Sequence, residues 1–297
     1  MRSSTEPASD AAPRPLIVES PAELRKIARA WHHEGETIGL VPTMGALHAG
    51  HASLIERACV ENTKVVVSIF VNPLQFGAGE DFERYPRPVE KDLALLRRMG
   101  VDAAYMPPPE VMYPPGASTR VGVHGITEPL EGAARPGHFE GVATVVAKLL
   151  WASAADRAYF GQKDAQQVAV VKRLAADLDS GVEIRVCRTV READGLAVSS
   201  RNAYLDPAER EAATSLSRAL RSVAASYQAG ERDPGRLRRN LLEVLAGEPL
   251  AQVEYAELVD PETFTRPGTL AVLAVRFGRT RLIDNHDLTQ VLDTPHV

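Results

Sequence analysis

Two histidines one helical turn apart could bind the phosphates of a nucleotide. His48 and His51 lie in the segment Val41–His51, and three residues are about one turn of a helix, so both imidazoles can face one ligand. Gly45 and Gly50 lie beside them. A tight glycine turn before a helix directs backbone N–H groups and the positive end of the helix towards one point, which suits phosphate. Surface residues or metal ligands are the alternatives for such a histidine pair.

Asn72 and Gln75 follow a predicted buried strand over residues 64–71. In an open α/β sheet, ligands bind beyond the carboxyl ends of the strands. We therefore expect these amides to reach the same crevice as His48 and His51. The alternative is a polar turn that Asn72 caps.

A second strand–turn–helix pattern carries Gly161, Gln162, Lys163 and Asp164 in its turn. Lys163 offers a point charge for a phosphate, whereas Asp164 could simply cap the following helix. Gln167 lies one turn into that helix and faces the same end.

A loop further along the chain, Ser199-Ser200-Arg201, combines two hydroxyls and a guanidinium, a set that suits a triphosphate. An ordinary surface loop is the alternative for this triplet, and no single feature decides between the two.

The elements that must position these residues follow from periodicity. Strands over 37–41 and 64–71 flank a helix over 52–58, which predicts a right-handed βαβ unit in a parallel sheet. Further segments are predicted as helices (20–34, 89–99, 140–151, 165–178) and as strands (103–106, 119–123, 158–160, 182–187). From Asp206 the pattern changes to amphipathic helices over 207–227 and 236–246, and to alternating strands over 252–259 and 269–284. We therefore predict a disordered tail over 1–15, an α/β domain over 16–190 and a smaller α+β domain over 191–297.

Composition excludes several classes of protein. The 297 residues favour two domains, and a net charge of -5 argues against nucleic acid as a main partner. No apolar run is long enough to span a bilayer, and the N-terminus lacks a secretory segment, so no membrane partner is expected. Cys59 and Cys187 form no metal or redox spacing, which fits a reducing cytoplasm.

Five blocks together resemble one family. The pattern His-x-Gly-His at His48–His51 is similar to the nucleotide-binding signature of the HIGH superfamily, which includes nucleotidyltransferases and class I aminoacyl-tRNA synthetases. The full set of blocks, in chain order, is 44–51, 70–76, 135–144, 160–167 and 199–202. This set resembles the pantoate–β-alanine ligase family over nearly the whole chain after the tail. The remaining alternatives are a nucleotidyltransferase, a class I aminoacyl-tRNA synthetase and a nucleotide-binding protein without catalysis.

The resemblance implies an activity and an architecture. The family condenses (R)-pantoate with β-alanine at the expense of ATP, giving pantothenate, AMP and diphosphate through a pantoyl adenylate, and requires Mg²⁺ with ATP. It implies a Rossmann-type N-terminal domain, a C-terminal domain that closes as a lid, and a homodimer formed through the N-terminal domains.

The resemblance also implies the site residues. His51 corresponds to the family's proton donor, with His48, Lys163, Ser199, Ser200 and Arg201 as further catalytic groups that neutralise phosphate charge. Gln75 and Gln167 correspond to pantoate-binding residues, with Gln75 also near β-alanine, and Asn72 is grouped with them. The predicted ATP-binding residues are Met44, Gly45, Ala46, Leu47, His48, Ala49, Gly50, His51, Gly161, Gln162, Lys163, Asp164, Val190, Val198, Ser199, Ser200 and Arg201.

Two positions depart from the family pattern. Ala49 stands where relatives often carry glutamate, and because it lies between the histidines we expect little effect. Lys91-Asp92 stands where many relatives carry an acidic pair. Asp92 is therefore the candidate metal ligand, and the alternative is that Mg²⁺ is held mainly by phosphate oxygens and water.

Overall fold

The computed structural model describes residues 14–290, which form two compact units. Unit 1 comprises the described residues up to Phe160 together with Val170–Cys187, and unit 2 comprises Gly161–Ala169 together with the described residues from Arg188 onward. The predicted tail over 1–15 lies almost entirely outside the described residues, and the predicted domain boundary at residue 190 stays a prediction. Within residues 14–290, no helix combines the length and the apolar character needed to cross a membrane.

Unit 1 is built on a six-stranded sheet in the order β1-β4-β3-β2-β5-β6. Its strands are β1 (Leu16–Val18), β2 (Ile38–Thr43), β3 (Lys64–Ile69), β4 (Ala103–Tyr105), β5 (Arg157–Gly161) and β6 (Glu183–Cys187). β2 pairs in parallel with both β3 and β5, and β4 pairs in parallel with both β3 and β1. β2 thus lies inside the sheet, with its carboxyl end beside that of β3.

Helices alternate with these strands along the chain. They are α1 (Pro21–His33), α2 (Ala49–Glu61), α3 (Val89–Arg98), α4 (Pro109–Met112), α5 (Glu131–Ala134), α6 (His138–Ser153) and α7 (Ala165–Asp177). Val41 of β2, Val67 of β3 and Ile55 of α2 are buried in one apolar cluster. The continuous apolar runs of β2 and β3 are the pattern of strands covered on both faces, as the sequence predicted.

Unit 2 has a three-stranded antiparallel sheet in the order β7-β8-β9. Its elements are β7 (Gln252–Val259), β8 (Leu270–Phe277), β9 (Thr280–Asp287), α8 (Pro207–Ala212), α9 (Ser215–Gln228) and α10 (Pro234–Ala246). Leu220 of α9, Leu241 of α10 and Leu273 of β8 belong to one buried cluster. Together, the parallel sheet and this smaller sheet confirm the predicted α/β fold with a smaller C-terminal α+β part.

Two sequence predictions of secondary structure are wrong. Residues 119–123 form no strand; they are irregular, and the Val121 N–H donates to Thr144 Oγ1 at 3.0 Å instead of to a neighbouring strand. The single helix predicted over 207–227 is divided into α8 and α9. At the division, both the hydroxyl and the backbone N–H of Thr214 donate to the Glu211 carbonyl, a local bond that competes with the helical pattern.

Candidate active site

The loop that leaves β2 is supported by its own strand and by β3. The Thr43 hydroxyl donates to the Ser68 carbonyl at 2.7 Å and accepts from the Gly45 N–H at 3.1 Å. Gly45 has φ +81° and Ala46 has φ +50°. A non-glycine residue in this left-handed region is held there only when surrounding contacts support it.

Asp92, in the first turn of α3, supplies that support. Its two carboxylate oxygens accept hydrogen bonds from the Ala46 and Leu47 N–H groups, both at 2.8 Å, and the residue is 2% exposed. A Cβ atom at Gly45 would lie 3.0 Å from the same carboxylate. These loop amides therefore point into the protein, which differs from the expectation that the glycine turn presents its N–H groups to phosphate.

His48 and His51 lie side by side at the start of α2. Their ring centroids are 4.0 Å apart with an interplanar angle of 30°, and the His48 N–H donates to His51 Nδ1 at 3.3 Å. Because Nδ1 of His51 accepts, the neutral ring carries its proton on Nε2 and can donate from that side. The two imidazoles lie close together, as the spacing predicted, and that they face one ligand stays a prediction.

Asn72 and Gln75 follow β3, and both are buried. The Asn72 amide donates to Gly141 O at 3.0 Å and to Gln75 Oε1 at 3.1 Å, and its oxygen accepts from the Tyr113 hydroxyl at 2.8 Å. Its oxygen also accepts from the Leu74 N–H at 3.3 Å. These contacts support a role in orienting Gln75, and the predicted contact of Asn72 with substrate stays a prediction.

The Gln75 side chain extends to the loop after β2. Its amide donates to Met44 Sδ at 2.8 Å. Gln75 is 9% exposed, so most of its surface is enclosed by protein. The structure thus places the predicted pantoate-binding glutamine next to the first residue of the predicted ATP-binding loop.

Arg135, Glu80 and His138 surround the backbone of Gln75. Arg135 donates to both Glu80 carboxylate oxygens at 2.7 Å and to Gln75 O at 3.3 Å. His138 Nδ1 bonds Gln75 O at 2.7 Å, and its Nε2 lies 3.0 Å from Arg135 Nη1. The structure thus joins Arg135, Glu80 and His138 in one network around the Gln75 carbonyl.

This network shifts two pKa values. Burial, followed by the Arg135 charge, lowers the pKa of His138 to about 4, so its imidazole is neutral near pH 7. Burial acts to raise the pKa of Glu80, but the hydrogen bond and charge of Arg135 outweigh it and hold that pKa below its usual range. A neutral His138 can bond Gln75 O without adding a charge beside Arg135.

The remaining predicted residues lie in unit 2. Gln162, Lys163 and Asp164 form a 3₁₀ turn after β5, and Lys163 Nζ lies 3.7 Å from Asp164 Oδ1. Asn285 of β9 donates to the carbonyls of Gln162 and Lys163 at 2.9 and 2.8 Å. Sequence reasoning missed Asn285, because an asparagine in a half-exposed strand carries no local signal. Gln167 is partly buried in α7.

A short antiparallel bridge, Arg191 to Ala197, organises the other part of unit 2. Beside it, the Val198 N–H donates to Val190 O at 2.9 Å, so the two predicted ATP-binding valines are backbone neighbours. Arg191 pairs with buried Asp284 through bonds of 2.7 and 3.0 Å.

Downstream of the bridge, Ser199 Oγ accepts from the Arg201 N–H at 3.3 Å and caps a 3₁₀ turn over Ser200–Tyr204. The predicted Ser-Ser-Arg triplet is therefore an ordered turn with a capped start.

The described part of the chain offers no evident cluster of protein ligands for a metal ion. Over residues 14–290, no group of three or more His, Cys, Asp or Glu side chains could hold a metal ion. Asp92 is buried and both of its oxygens accept backbone hydrogen bonds, which fits poorly with magnesium coordination.

Comparisons with known proteins identify one family. A family model described as Pantoate-beta-alanine ligase matches residues 16–287. A pantothenate synthetase of Rubrobacter xylanophilus is 52% identical over 282 residues, covering 91% of this chain and 97% of the relative. A pantothenate synthetase of Roseiflexus sp. is 54% identical over 275 residues, covering 91% and 98%.

Solved structures give the same answer. A pantothenate synthetase structure from Thermus thermophilus aligns with a TM-score of 0.87 and 48% identity, covering 92% of this chain and 99% of that one. A pantoate-beta-alanine ligase from Francisella tularensis, complexed with beta-gamma ATP and beta-alanine, aligns with a TM-score of 0.78 and 34% identity, covering 93% and 99%.

Proposed function

This chain belongs to the pantoate–β-alanine ligase family, and from that premise we propose how its residues carry out the reaction. The enzyme condenses pantoate with β-alanine at the expense of ATP and gives pantothenate, AMP and diphosphate. A carboxylate does not react with an amine at neutral pH, because its leaving group is poor. ATP supplies a better one.

The mechanism has two steps. A carboxylate oxygen of pantoate attacks the α-phosphorus of ATP, and the bond to diphosphate breaks, leaving pantoyl adenylate. The β-alanine amine then attacks the acyl carbon, the bond to AMP breaks, and the amine nitrogen loses a proton. Neither step needs a protein nucleophile, so catalysis consists of positioning and electrostatic stabilisation.

The side-by-side pair of His48 and His51 is the observation that carries this proposal. With Nδ1 of His51 bonded to the His48 backbone, Nε2 is the donor that can meet charge developing on the phosphates. We assign both imidazoles to charge stabilisation, with His51 closest to the role of proton donor that the resemblance implies. The turn of helix that carries them adds the positive end of α2.

Gln75 and Gln167 are the proposed pantoate-binding residues, and Gln75 is also proposed to lie near β-alanine. The hydroxyls and carboxylate of pantoate need neutral donors and acceptors, which the two amides offer. Asn72 holds the side-chain amide of Gln75, and Arg135 and His138 hold its backbone carbonyl. This support favours the role, because a held side chain loses less freedom on binding.

Lys163, Ser199, Ser200 and Arg201 are proposed to neutralise phosphate charge. A lysine, an arginine and two hydroxyls suit a triphosphate, and the capped turn at Ser199 orders the two serines and the arginine. Met44 to His51, Gly161 to Asp164, Val190 and Val198 complete the proposed ATP-binding residues.

We propose four further features, the first three from the family and the last from the cysteines. Mg²⁺ enters with ATP on the phosphate oxygens, the chain forms a homodimer, and the C-terminal part acts as a lid. The protein works in the cytoplasm, where its two free cysteines would stay reduced. Static light scattering on the purified chain tests the dimer.

Isotope exchange between pyrophosphate and ATP tests the proposal most directly. With Mg²⁺ and pantoate but no β-alanine, we expect exchange that depends on pantoate, and release of AMP and pantothenate once β-alanine is added. Absence of exchange from a protein that still binds ATP would contradict the adenylate mechanism.

A further inference from the structure

The carboxylate of Asp92 binds the loop that leads to His48. It accepts the N–H groups of Ala46 and Leu47 at 2.8 Å each, one on each oxygen, from a residue that is 2% exposed. A buried carboxylate with a separate donor on each oxygen is restrained in both position and rotation. It fixes two consecutive peptide planes of the loop.

The loop needs such an external restraint. Gly45 and Ala46 are both in the left-handed region, at φ +81° and +50°, and Ala46 carries a Cβ atom there. Without an acceptor at Asp92, two partly buried amides would lose their partners and the loop would relax towards more common φ values. His48 directly follows Leu47, whose amide is the second one that Asp92 binds. A relaxed loop would therefore move the His48 imidazole.

We propose that Asp92 is a positioning residue for the reaction: it holds the 45–47 loop so that His48 and His51 stay paired in front of the ATP phosphates. The inference rests on the proposed function, since the histidines are assigned there to phosphate charge. It replaces the role of metal ligand that the sequence suggested for Asp92.

The second anchor of the loop supports this reading. Thr43 accepts the Gly45 N–H at 3.1 Å, so three consecutive N–H groups are bound by side chains of the protein. Thr43 carries no charge, and its hydroxyl is engaged by the Ser68 carbonyl and the Gly45 N–H, yet it acts on the same loop. A positioning role therefore predicts that Thr43 and Asp92 variants fail in the same way.

The test uses Asp92→Asn and Asp92→Glu, with Glu90→Gln as the matched control on the same helix. Asn keeps the size but turns an N–H group towards a loop N–H, and Glu keeps the charge but moves the carboxylate by one methylene. Glu90 is exposed in the first turn of α3, so its substitution removes the same charge without touching the loop.

Pantoate-dependent pyrophosphate–ATP exchange at saturating ATP and pantoate is the first readout. We expect both Asp92 variants, and Thr43→Val, to lose about 10- to 100-fold in rate per folded molecule. The Mg²⁺ concentration for half-maximal rate and the pantoate Kd should stay within about twofold, and Glu90→Gln should match the unmodified protein.

Three outcomes of the rate measurements would overturn the proposal. These are a rate within twofold in Asp92→Asn, full activity in Asp92→Glu, or a loss in Asp92→Asn that high Mg²⁺ restores; the last would make Asp92 a metal ligand. Hydrogen exchange of the Ala46 and Leu47 amides gives a readout independent of activity: both should be protected in the unmodified protein and lose protection in Asp92→Asn. If the two amides are unprotected from hydrogen exchange in the unmodified protein, the inference is overturned. If they are protected but the protein shows no pantoate-dependent pyrophosphate–ATP exchange, the proposed function alone is rejected.

Discussion

The His48 N–H donates to Nδ1 of His51 at 3.3 Å, and the two rings lie with centroids 4.0 Å apart. This bond sets the orientation of the His51 ring and leaves Nε2 as the donor of the neutral imidazole. The pair therefore acts as one unit, in which the backbone of one histidine orients the side chain of the other.

Replacing His51 should damage chemistry more than binding. We expect His51→Ala to lower the rate of adenylate formation by about 10²–10³, equivalent to roughly 2–4 kcal/mol of barrier, while pantoate Kd changes little. Rapid-quench single-turnover measurement of pantoyl adenylate checks this. A single-turnover rate near that of the unmodified protein would show that His51 does not stabilise the transferring group.

Arg135→Lys should weaken pantoate binding through the support of Gln75. Lysine cannot bind both Glu80 oxygens and the Gln75 carbonyl together, because it lacks the planar fork of arginine. We expect the pantoate KM to rise about tenfold and stability to fall by about 1–3 kcal/mol, the cost of unpairing buried polar groups. Arg84→Lys, at an exposed position, is the control; equal effects in both variants would count against the network.

His138 makes stability depend on pH. Its pKa is lowered to about 4 in the folded protein, compared with about 6.5 for a histidine in the unfolded chain. Between these two pH values the unfolded chain therefore binds more protons than the folded protein. Stability from this group is fully present above about pH 6.5 and is lost as pH falls towards 4, on the order of 3 kcal/mol in total.

Urea unfolding between pH 4.5 and 7 checks that sign and size. His138→Gln keeps a donor and an acceptor but does not titrate, so its stability should vary less with pH than that of the unmodified protein. Parallel pH profiles for the two proteins would show that His138 titrates normally.

Breaking the buried pair of Arg191 and Asp284 should destabilise the protein strongly. Their side chains are 4% and 1% exposed, so Asp284→Asn leaves a buried guanidinium without its charge partner, at a cost of about 3–5 kcal/mol. Asp177→Asn, which breaks the exposed pair with Arg173 at 2.8 Å, should cost under about 1 kcal/mol. Thermal unfolding of both variants measures the contrast, and a similar change in Tm would contradict it.

Local patterns in the sequence determined most of the secondary structure and part of the site. Continuous apolar runs predicted β2 and β3, strict alternation predicted β7, and helical spacing placed His48 beside His51. These features depend on interactions between residues that are close in sequence, and periodicity and capping patterns indicate such interactions. The two failures, residues 119–123 and the division at Thr214, arose where a short alternation lacked a partner strand and where a threonine bonded its own backbone.

Only the tertiary structure decided which polar groups are restrained. Asp92 bonds Leu47 across 45 positions, Arg135 bonds Glu80 across 55, and Asn285 bonds Lys163 across 122. Nothing in the sequence near these residues indicates which distant residue each one bonds. Their roles come from burial and from partners that only folding brings within hydrogen-bonding distance. Once a polar group is removed from water, it needs a protein partner to replace the hydrogen bonds that water made.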